Sequence, residues 1–146
     1  MTDSRGFNIR VYGIWIRDNH VLLNEELIRG QQVIKFPGGG LDWGEGLIDC
    51  LKREWKEELD LDIEVLDHFY TTDYFQHSAF DGSQVISIYY LVMAKDAPEI
   101  IINHEENERA YWMPLEDVSA DTFTLAIDKK VGDMLQILFN DTSASN

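Results

Sequence analysis

The sequence predicts an α/β sandwich in which a mixed β-sheet lies between two helices. Apolar and polar residues alternate with the period of a strand over several stretches. Two other stretches, residues 45–59 and the region near 125–139, repeat apolar residues with the period of a helix. The length of 146 residues suits one domain with a sizeable core. We therefore expect a single domain over residues 1–140, followed by a flexible polar tail at 141–146.

The strands are predicted from alternation and from the turns between them. The segment FNIRVYGIWIRDNHVLLNEEL alternates on both sides of Asp18-Asn19, which predicts a hairpin. The segment QVIKF is a short strand that ends at Pro37 and runs into a loop of three glycines. The segments IEVLDHFYTTDYFQ and QVISIYYLVMAK flank Asp81-Gly82, which is a second hairpin signal, and RAYWMP adds one more short strand.

Both helices are predicted to be amphipathic. The first has an apolar stripe that must face the core, formed by Leu47, Ile48, Leu51, Trp55 and Leu59. The second repeats apolar residues at helical spacing, at Ile127, Val131, Met134, Leu135 and Leu138. The sandwich therefore has a helix available for each side of the sheet.

Charge and composition narrow the classes of function. A net charge of −15 argues against binding to nucleic-acid polymers, which require a basic surface. Small phosphorylated substrates remain compatible with it, because divalent cations can invert the local field. There is no apolar run long enough for a transmembrane helix and no signal peptide, so we expect a cytoplasmic protein that does not act at a membrane. The single cysteine, Cys50, excludes an internal disulfide, and the sequence leaves the oligomeric state open, a homodimer included.

Three glutamates on the first helix point to a function. Glu54, Glu57 and Glu58 fill one arc beside the apolar stripe, where like charges repel one another. Glu58 projects onto the edge of the stripe, and an uncompensated carboxylate is costly to bury there. A hard cation such as Mg²⁺ or Mn²⁺, which takes oxygen ligands, would remove that cost, and Arg53 can pair with Glu57. The alternative is that the arc is simply an acidic face in contact with solvent.

The three glycines before the helix supply a second feature. Gly38, Gly39 and Gly40 permit positive φ angles and close approach of the backbone, so main-chain groups there can point at a ligand. A glycine cluster alone is weak support, because many turns contain one. A glycine loop and a carboxylate arc at a fixed spacing together weaken the alternative of a solvated face.

The spacing of these residues follows the pattern G-x5-E-x7-R-E-U-x-E-E-x-G-U, in which U is apolar. The residues that match it are Gly39, Glu45, Arg53, Glu54, Trp55, Glu57, Glu58 and Leu61. On this pattern the chain resembles the Nudix hydrolase (MutT-like) family, and the flanking segments KFPG and YWMPLEDV are similar to that family as well. Asp60 stands where the pattern has a glycine in left-handed conformation, which aspartate tolerates better than most residues.

The resemblance implies the α/β/α sandwich of the family and a Mg²⁺-dependent hydrolysis. The bond broken would be the diphosphate linkage of a nucleoside diphosphate joined to another moiety, such as a nucleotide sugar or a nucleoside triphosphate, by attack of metal-activated water. Carried over by position, the metal ligands would be Glu54, Glu57, Glu58 and the main-chain carbonyl of Gly38, with Mn²⁺ as an alternative metal. Arg53 would orient the glutamates, and Gly39 and Glu45 would have structural roles.

The resemblance leaves the base and the substrate open. Glu105, Glu106 and Glu108 are candidates for an additional base or ligand, and the alternative is that they form a charged surface loop. The candidates for substrate binding are Arg10, Arg29 and Lys35, for phosphates, and Tyr74, for stacking on a base or sugar. A non-catalytic module that binds or senses a nucleotide or nucleotide sugar is the alternative function. The intact glutamates and Arg53 favour an enzyme.

Overall fold

The computed structural model describes residues 6–95 and 108–144. In this part of the chain the strands are β1 (Phe7–Ile14), β2 (Ile16–Arg17), β3 (His20–Ile28), β4 (Gln31–Lys35), β5 (Gly38–Gly40), β6 (Ile63–Thr71), β7 (Gln84–Ala94) and β8 (Glu108–Pro114). The α-helices are α1 (Leu47–Leu59) and α2 (Ala126–Ala144), and two short 3-10 turns, Leu115–Asp117 and Ala120–Thr122, precede α2.

The strands form two sheets, whereas the sequence predicted one. The first sheet is mixed and has the order β5-β1-β7-β6, with β1 parallel to β7 and antiparallel to β5. The second sheet is antiparallel and is built around β3, which pairs with β2, β4 and β8. Only Trp15 separates β1 from β2, so the chain passes from one sheet to the other within the segment predicted as half of a hairpin. The predicted class, an α/β sandwich with a mixed sheet, is confirmed.

The turns show which short sequence signals were sufficient to predict the local structure. Asp18 and Asn19 both have positive φ, 51° and 59°, so the predicted hairpin turn is present between β2 and β3. The Asp81-Gly82 signal correctly indicated that β6 and β7 are antiparallel neighbours. However, β6 already ends at Thr71, and the connection is a long loop rather than a tight turn. In that loop Asp81 accepts hydrogen bonds from the backbone and hydroxyl of Ser83, which makes a local turn of its own.

Two apolar cores lie on opposite sides of the sheets. Alternate residues of β1 point to different cores: Val11 packs with α1, and Tyr12 packs with α2. The buried residues of α1 are Cys50, Leu51, Trp55 and Leu59. Ile48, which we expected in the buried stripe, is 46% exposed, because the stripe is rotated toward Cys50.

Both helices differ from the predicted ends. The first begins at Leu47 rather than at residue 45, because Gly46 caps it and Glu45 belongs to the preceding turn. The second extends to Ala144, so helix occupies most of the segment 141–146 that we expected to be a flexible tail. No helix in the described part of the chain is long and apolar enough to cross a membrane.

Candidate active site

The loop before α1 folds back on itself. The Asp42 backbone N–H donates to Oε1 of Glu45 at 2.9 Å, and the Glu45 N–H donates to the carbonyl of Asp42 at 3.3 Å. Gly44 has a φ of 92°, which favours glycine at this turn. Trp43, at the tip of the loop, is wholly exposed. The loop thereby brings the Glu45 carboxylate back over the first turns of α1.

Arg53 connects this loop, the glycine strand and α1. It donates to both carboxylate oxygens of Glu45, from Nη2 to Oε1 at 2.7 Å and from Nε to Oε2 at 3.0 Å. Its Nη1 lies 3.0 Å from Oε1 of Glu54 and 3.3 Å from Oε2 of Glu57, and its Nη2 donates to the carbonyl of Gly40 at 3.1 Å. The hydrogen bonds from Arg53 lower the pKa of Glu45 to about 2. One guanidinium therefore fixes three carboxylates relative to the edge of the mixed sheet.

The three glycines form the edge strand β5, not a loop as predicted. Two of them have no room for a side chain. A Cβ on Gly38, whose φ is 154°, would lie 2.1 Å from the carbonyl oxygen of Val11. A Cβ on Gly39 would lie 2.5 Å from Oε2 of Glu54, so the absence of a side chain lets that carboxylate rest on β5. Carbonyls alternate in direction along a strand, so the carbonyl of Gly38 points to the same side as that of Gly40, which faces Arg53.

The residues at this site fit a hard divalent cation by their chemistry. Glu54, Glu57 and Glu58 on α1 and the carbonyl of Gly38 are all oxygen donors, which Mg²⁺ prefers. The Glu54 carboxylate occupies the space that a side chain at Gly39 would fill. In residues 6–95 and 108–144 no three carboxylate, imidazole or thiol groups already converge as metal ligands. Glu54 and Glu57 each direct one oxygen to Arg53, so cation binding would use their other oxygens or reorient the side chains.

The structure accommodates both Asp60, which departs from the sequence pattern, and the large ring of Trp55. Asp60 adopts the left-handed conformation, with φ 56° and ψ 38°, and its N–H closes the helix on the carbonyl of Lys56. The expectation for aspartate at this position is thus confirmed. The large ring of Trp55 fits because Gly13 lies against it: a Cβ on Gly13 would be 2.8 Å from the indole. The Trp55 Nε1–H donates to the carbonyl of Pro37 at 3.0 Å, which ties α1 to the start of β5.

A cavity of about 350 Å³ lies between the two sheets and the start of α2. Its walls come from alternate residues of β1, from the ends of β3 and β4, and from the loop between β6 and β7. It brings together three of the predicted substrate-binding residues, Arg10, Arg29 and Lys35, but Tyr74 does not line it. From the loop that contains Tyr74, the lining residues are Gln76, His77, Ser78, Ala79 and Phe80.

The cations of the cavity are held by different partners. Lys35 is only 5% exposed, and its Nζ lies 2.5 Å from Oε1 of Glu26. The Arg10 Nε–H donates to the hydroxyl of Tyr12 at 2.6 Å. Burial raises the pKa of Tyr12, while the positive charges of Arg10 and Lys35 oppose that shift, so both cations are near this hydroxyl. Arg29, at the mouth, donates to the carbonyl of Phe80 at 2.7 Å.

Two residues of this region were missed by the sequence analysis. Tyr12 looked like an ordinary strand residue, and nothing local distinguishes it. Asp128 is buried at the start of α2 and accepts a hydrogen bond from the hydroxyl of Tyr89 at 2.5 Å. Burial raises its pKa to about 6, although Tyr89, Lys35 and Arg10 act in the opposite direction. Its signal was an acidic residue directly beside the apolar stripe of the second helix.

The remaining candidates lie at the edge of what the structure describes or have structural roles. Glu105 and Glu106 lie outside the described residues, and Glu108 is the first residue of β8. Cys50 is buried beside the site and donates to the carbonyl of Gly40 at 3.4 Å. Burial raises the pKa of its thiol to about 12, as expected for a packing residue rather than a nucleophile.

Comparison with known proteins relates this arrangement to one family. The model of the NUDIX domain matches residues 7–133. A MutT protein from Methanosarcina mazei Go1 is similar, with 18% identity and a TM-score of 0.75 over 92% of this chain and 96% of that one. The ORF135 protein of E. coli has 19% identity and a TM-score of 0.65 over 100% and 97% of the two chains. An ADP-ribose pyrophosphatase from Streptococcus suis has 18% identity and a TM-score of 0.66 over 92% and 91%.

At these identities the solved structures establish the shared fold. No curated protein matches the chain.

Proposed function

Because the chain belongs to the NUDIX domain family, we propose that it hydrolyses the diphosphate linkage of a nucleoside diphosphate derivative with the help of Mg²⁺. The observation that carries the proposal is the junction of two features. The carboxylates fixed by Arg53 lie beside a cavity lined by cations: the Glu54 carboxylate rests on Gly39 of β5, and Nη1 of Arg10 approaches the next residue, Gly40. A diphosphate with a metal at one end and a nucleoside at the other suits such a junction.

In this proposal the metal is held by the box, by which we mean the sequence pattern from Gly39 to Leu61 together with Gly38. Glu54, Glu57 and Glu58, with the carbonyl of Gly38, hold the cation. Arg53 keeps the carboxylates in register with β5 through its contacts to both. Mg²⁺, when bound, supplies a water of lowered pKa and neutralises charge on the diphosphate. Mn²⁺ has the same preference for oxygen ligands and would serve as a substitute.

The attacking water must lose a proton to a nearby base. A carboxylate oxygen of α1 that the cation leaves free can accept it, and Glu57 is the most accessible of the α1 glutamates that contact Arg53, with 59% of its side chain exposed. Glu105, Glu106 and Glu108 are the further candidates, all in or next to the segment that leads into β8. Glu→Gln variants at these positions, compared by their pH profiles of kcat, identify the base.

The names of the similar structures guide the choice of substrates to test. They include MutT proteins and an ADP-ribose pyrophosphatase, so the panel contains nucleoside triphosphates, ADP-ribose and nucleotide sugars. We expect release of a nucleoside monophosphate from at least one of them with Mg²⁺, and none with chelator. Reaction in ¹⁸O-labelled water should place one label on a phosphate of the products, because water attacks phosphorus.

Two controls make this experiment decisive. Glu64→Gln removes one negative charge from an exposed position on β6, away from α1, and should leave the rate unchanged. Glu57→Gln also removes one negative charge, but from the box, and should lower the rate. If no member of the panel is cleaved while one of them still binds, the protein is a nucleotide-binding module instead.

A further inference from the structure

The distribution of positive charge singles out the cavity. The chain has 12 lysines and arginines against 27 aspartates and glutamates, yet three of the cations line this one space. Glu26 is the only acidic residue among its lining residues. Most of the surface of such a chain repels anions, so a cationic recess marks the place where an anionic group is attracted.

Arg10 contacts the hydroxyl of Tyr12, and Lys35 lines the same cavity. Nε of Arg10 donates to this hydroxyl at 2.6 Å, and the charge of Lys35 acts on it as well. The far end of the guanidinium lies against the glycine strand, since Nη1 is 3.5 Å from where a Cβ on Gly40 would stand. This group of three residues therefore occupies the boundary between the cavity and the box.

The hydrogen-bond donors at this boundary exceed the acceptors that the protein offers them. Acids near this boundary are already engaged: Glu26 with Lys35, Asp128 with the hydroxyl of Tyr89, and Glu54 with Arg53. The Nη1 and Nη2 groups of Arg10 nevertheless have no hydrogen-bond acceptor in the described part of the chain. The Tyr12 hydroxyl accepts from Arg10 and so has its own proton to donate. An arginine fork, a phenol and an ammonium facing one space match the oxygens of a phosphate.

We propose that Arg10, Tyr12 and Lys35 form a phosphate site that works without metal and holds the phosphate next to the nucleoside. The inference rests on the proposed function for its natural ligand, a nucleoside diphosphate derivative. It adds that this phosphate is recognised by the cavity wall rather than by the carboxylates of α1. The nucleoside monophosphate product remains bound to this site after the bond is broken, and so it inhibits the enzyme competitively.

The test is binding of inorganic phosphate and of AMP in chelator, measured by titration calorimetry. Because metal is removed, binding in these conditions reports on the cavity wall alone. We expect both ligands to bind. Arg10→Gln should weaken the binding of each about tenfold or more, since it removes a charge-assisted hydrogen bond, and Tyr12→Phe should weaken it a few-fold. Lys130→Gln, an equal change of charge on the exposed side of α2, should have no effect.

Lys35 needs a paired substitution, because removing it alone leaves Glu26 without its buried cation. The double variant Lys35→Gln with Glu26→Gln keeps the formal charge of the pair and should still weaken phosphate binding. Thermal unfolding of each variant shows whether it is folded. Tyr12→Phe keeps the buried ring and carries the test if a charge variant does not fold.

The outcomes separate this inference from the proposed hydrolysis. If neither phosphate nor AMP binds in chelator, or if all the substitutions leave binding unchanged, the site is wrong even if the protein is an active hydrolase. If both ligands bind and binding falls in Arg10→Gln and Tyr12→Phe, the site is established even for a chain that cleaves nothing. Competitive inhibition by AMP with a Ki that rises in Arg10→Gln would support both together.

Discussion

The acidic face of α1 and the wall of the cavity differ in which charged groups are in excess. On the acidic face, Arg53 serves Glu45, Glu54 and Glu57 together and also lies 3.3 Å from a carboxylate oxygen of Asp42. On the cavity wall the acids are already engaged, and hydrogen-bond donors of Arg10 remain. The first region has more carboxylates than cations, and the second has hydrogen-bond donors without acceptors. In the proposed function, a metal–phosphate ligand would supply the missing groups of both regions where they meet at β5.

The two regions also differ in burial. The side chain of Arg53 is 28% exposed, whereas that of Lys35 is 6% exposed. Solvent screens the charges of the first region, so we expect changes there to affect function more than stability. The second region is shielded from solvent, and removing one partner of a buried pair affects both. The predictions below test this division, beginning with the largest effect.

The strongest test of the acidic face is Glu58→Gln. The substitution keeps the shape of the side chain and removes one negative charge that we assign to metal binding. Turnover should fall by about a hundredfold or more, since even changes next to metal ligands cost up to that much. The variant should still unfold cooperatively, and its rate is compared with that of Glu64→Gln. Near-normal turnover on a true substrate would falsify the assignment of Glu58 as a ligand.

The buried region is tested by Asp128→Asn. Burial raises the pKa of Asp128 from the ordinary 3.8 to about 6, so the folded protein binds the proton more tightly than the unfolded chain does. This contribution to stability is complete below pH 4 and is lost as the pH rises through 6. Asparagine stays neutral at every pH. The free energy of unfolding of Asp128→Asn, relative to that of the unmodified protein, should therefore rise by about 2 kcal/mol between pH 4 and pH 7.

Denaturant unfolding of both proteins across this range measures the difference, and pairing the two cancels the effect of the other acids. A constant difference from pH 4 to pH 7 would mean that Asp128 is ionised in the fold throughout. Asn can still accept the hydrogen bond from Tyr89 through its amide oxygen, so loss of that bond does not confuse the result.

Arg53→Ala examines the residue that joins the carboxylates to β5. We expect turnover to fall about tenfold, because the ligands lose their orientation but not their charge. Binding of Mn²⁺, followed by its electron paramagnetic resonance, should persist. Arg53→Lys should recover little of the rate, since an ammonium cannot make the paired contacts to Glu45. Full activity in Arg53→Lys would show that only the charge at this position matters.

The smallest expected effect is stabilisation by metal. At ten times its dissociation constant, Mg²⁺ should raise the free energy of unfolding by about 1.4 kcal/mol, because it binds only the folded state. Monovalent salt at matched ionic strength is the control, since screening alone relieves repulsion among the acids. The gain should disappear in Glu58→Gln but remain in Arg10→Gln. If Mg²⁺ raised the free energy of unfolding equally in both variants, the metal would not bind through Glu58, and the proposed division between the two regions would be wrong.

Features set by a few neighbouring residues were predicted from the sequence. The turn at Asp18-Asn19, the left-handed Asp60 and the pairing of Arg53 with Glu57 each depend on residues within one turn of each other. The family and the sandwich fold are confirmed as well. All of these follow from local spacing, which the sequence displays directly.

Features that depend on distant strands were not predicted. The parallel pairing of β1 with β7 joins residues that are 77 positions apart, as in Phe7 with Gln84, and β1 and β7 lie in a different sheet from β3 and β4. The cavity has the same origin, because its wall combines residues of β1 and β4 with the loop after β6. Arg10 and Lys35 were predicted from their charge, but the role of Tyr12 could be inferred only once the fold placed it in the same cavity, with its hydroxyl in contact with Arg10.

The loop before α1 gives the protein an optical reporter of its own. Of the four tryptophans, Trp15 and Trp55 are buried and Trp112 packs against their core, while Trp43 is wholly exposed beside the carboxylates. Its fluorescence should therefore lie at the red edge of the emission spectrum and be quenched selectively by acrylamide. Because it stands a few residues before α1, we expect that emission to respond to occupancy of the site without any label attached.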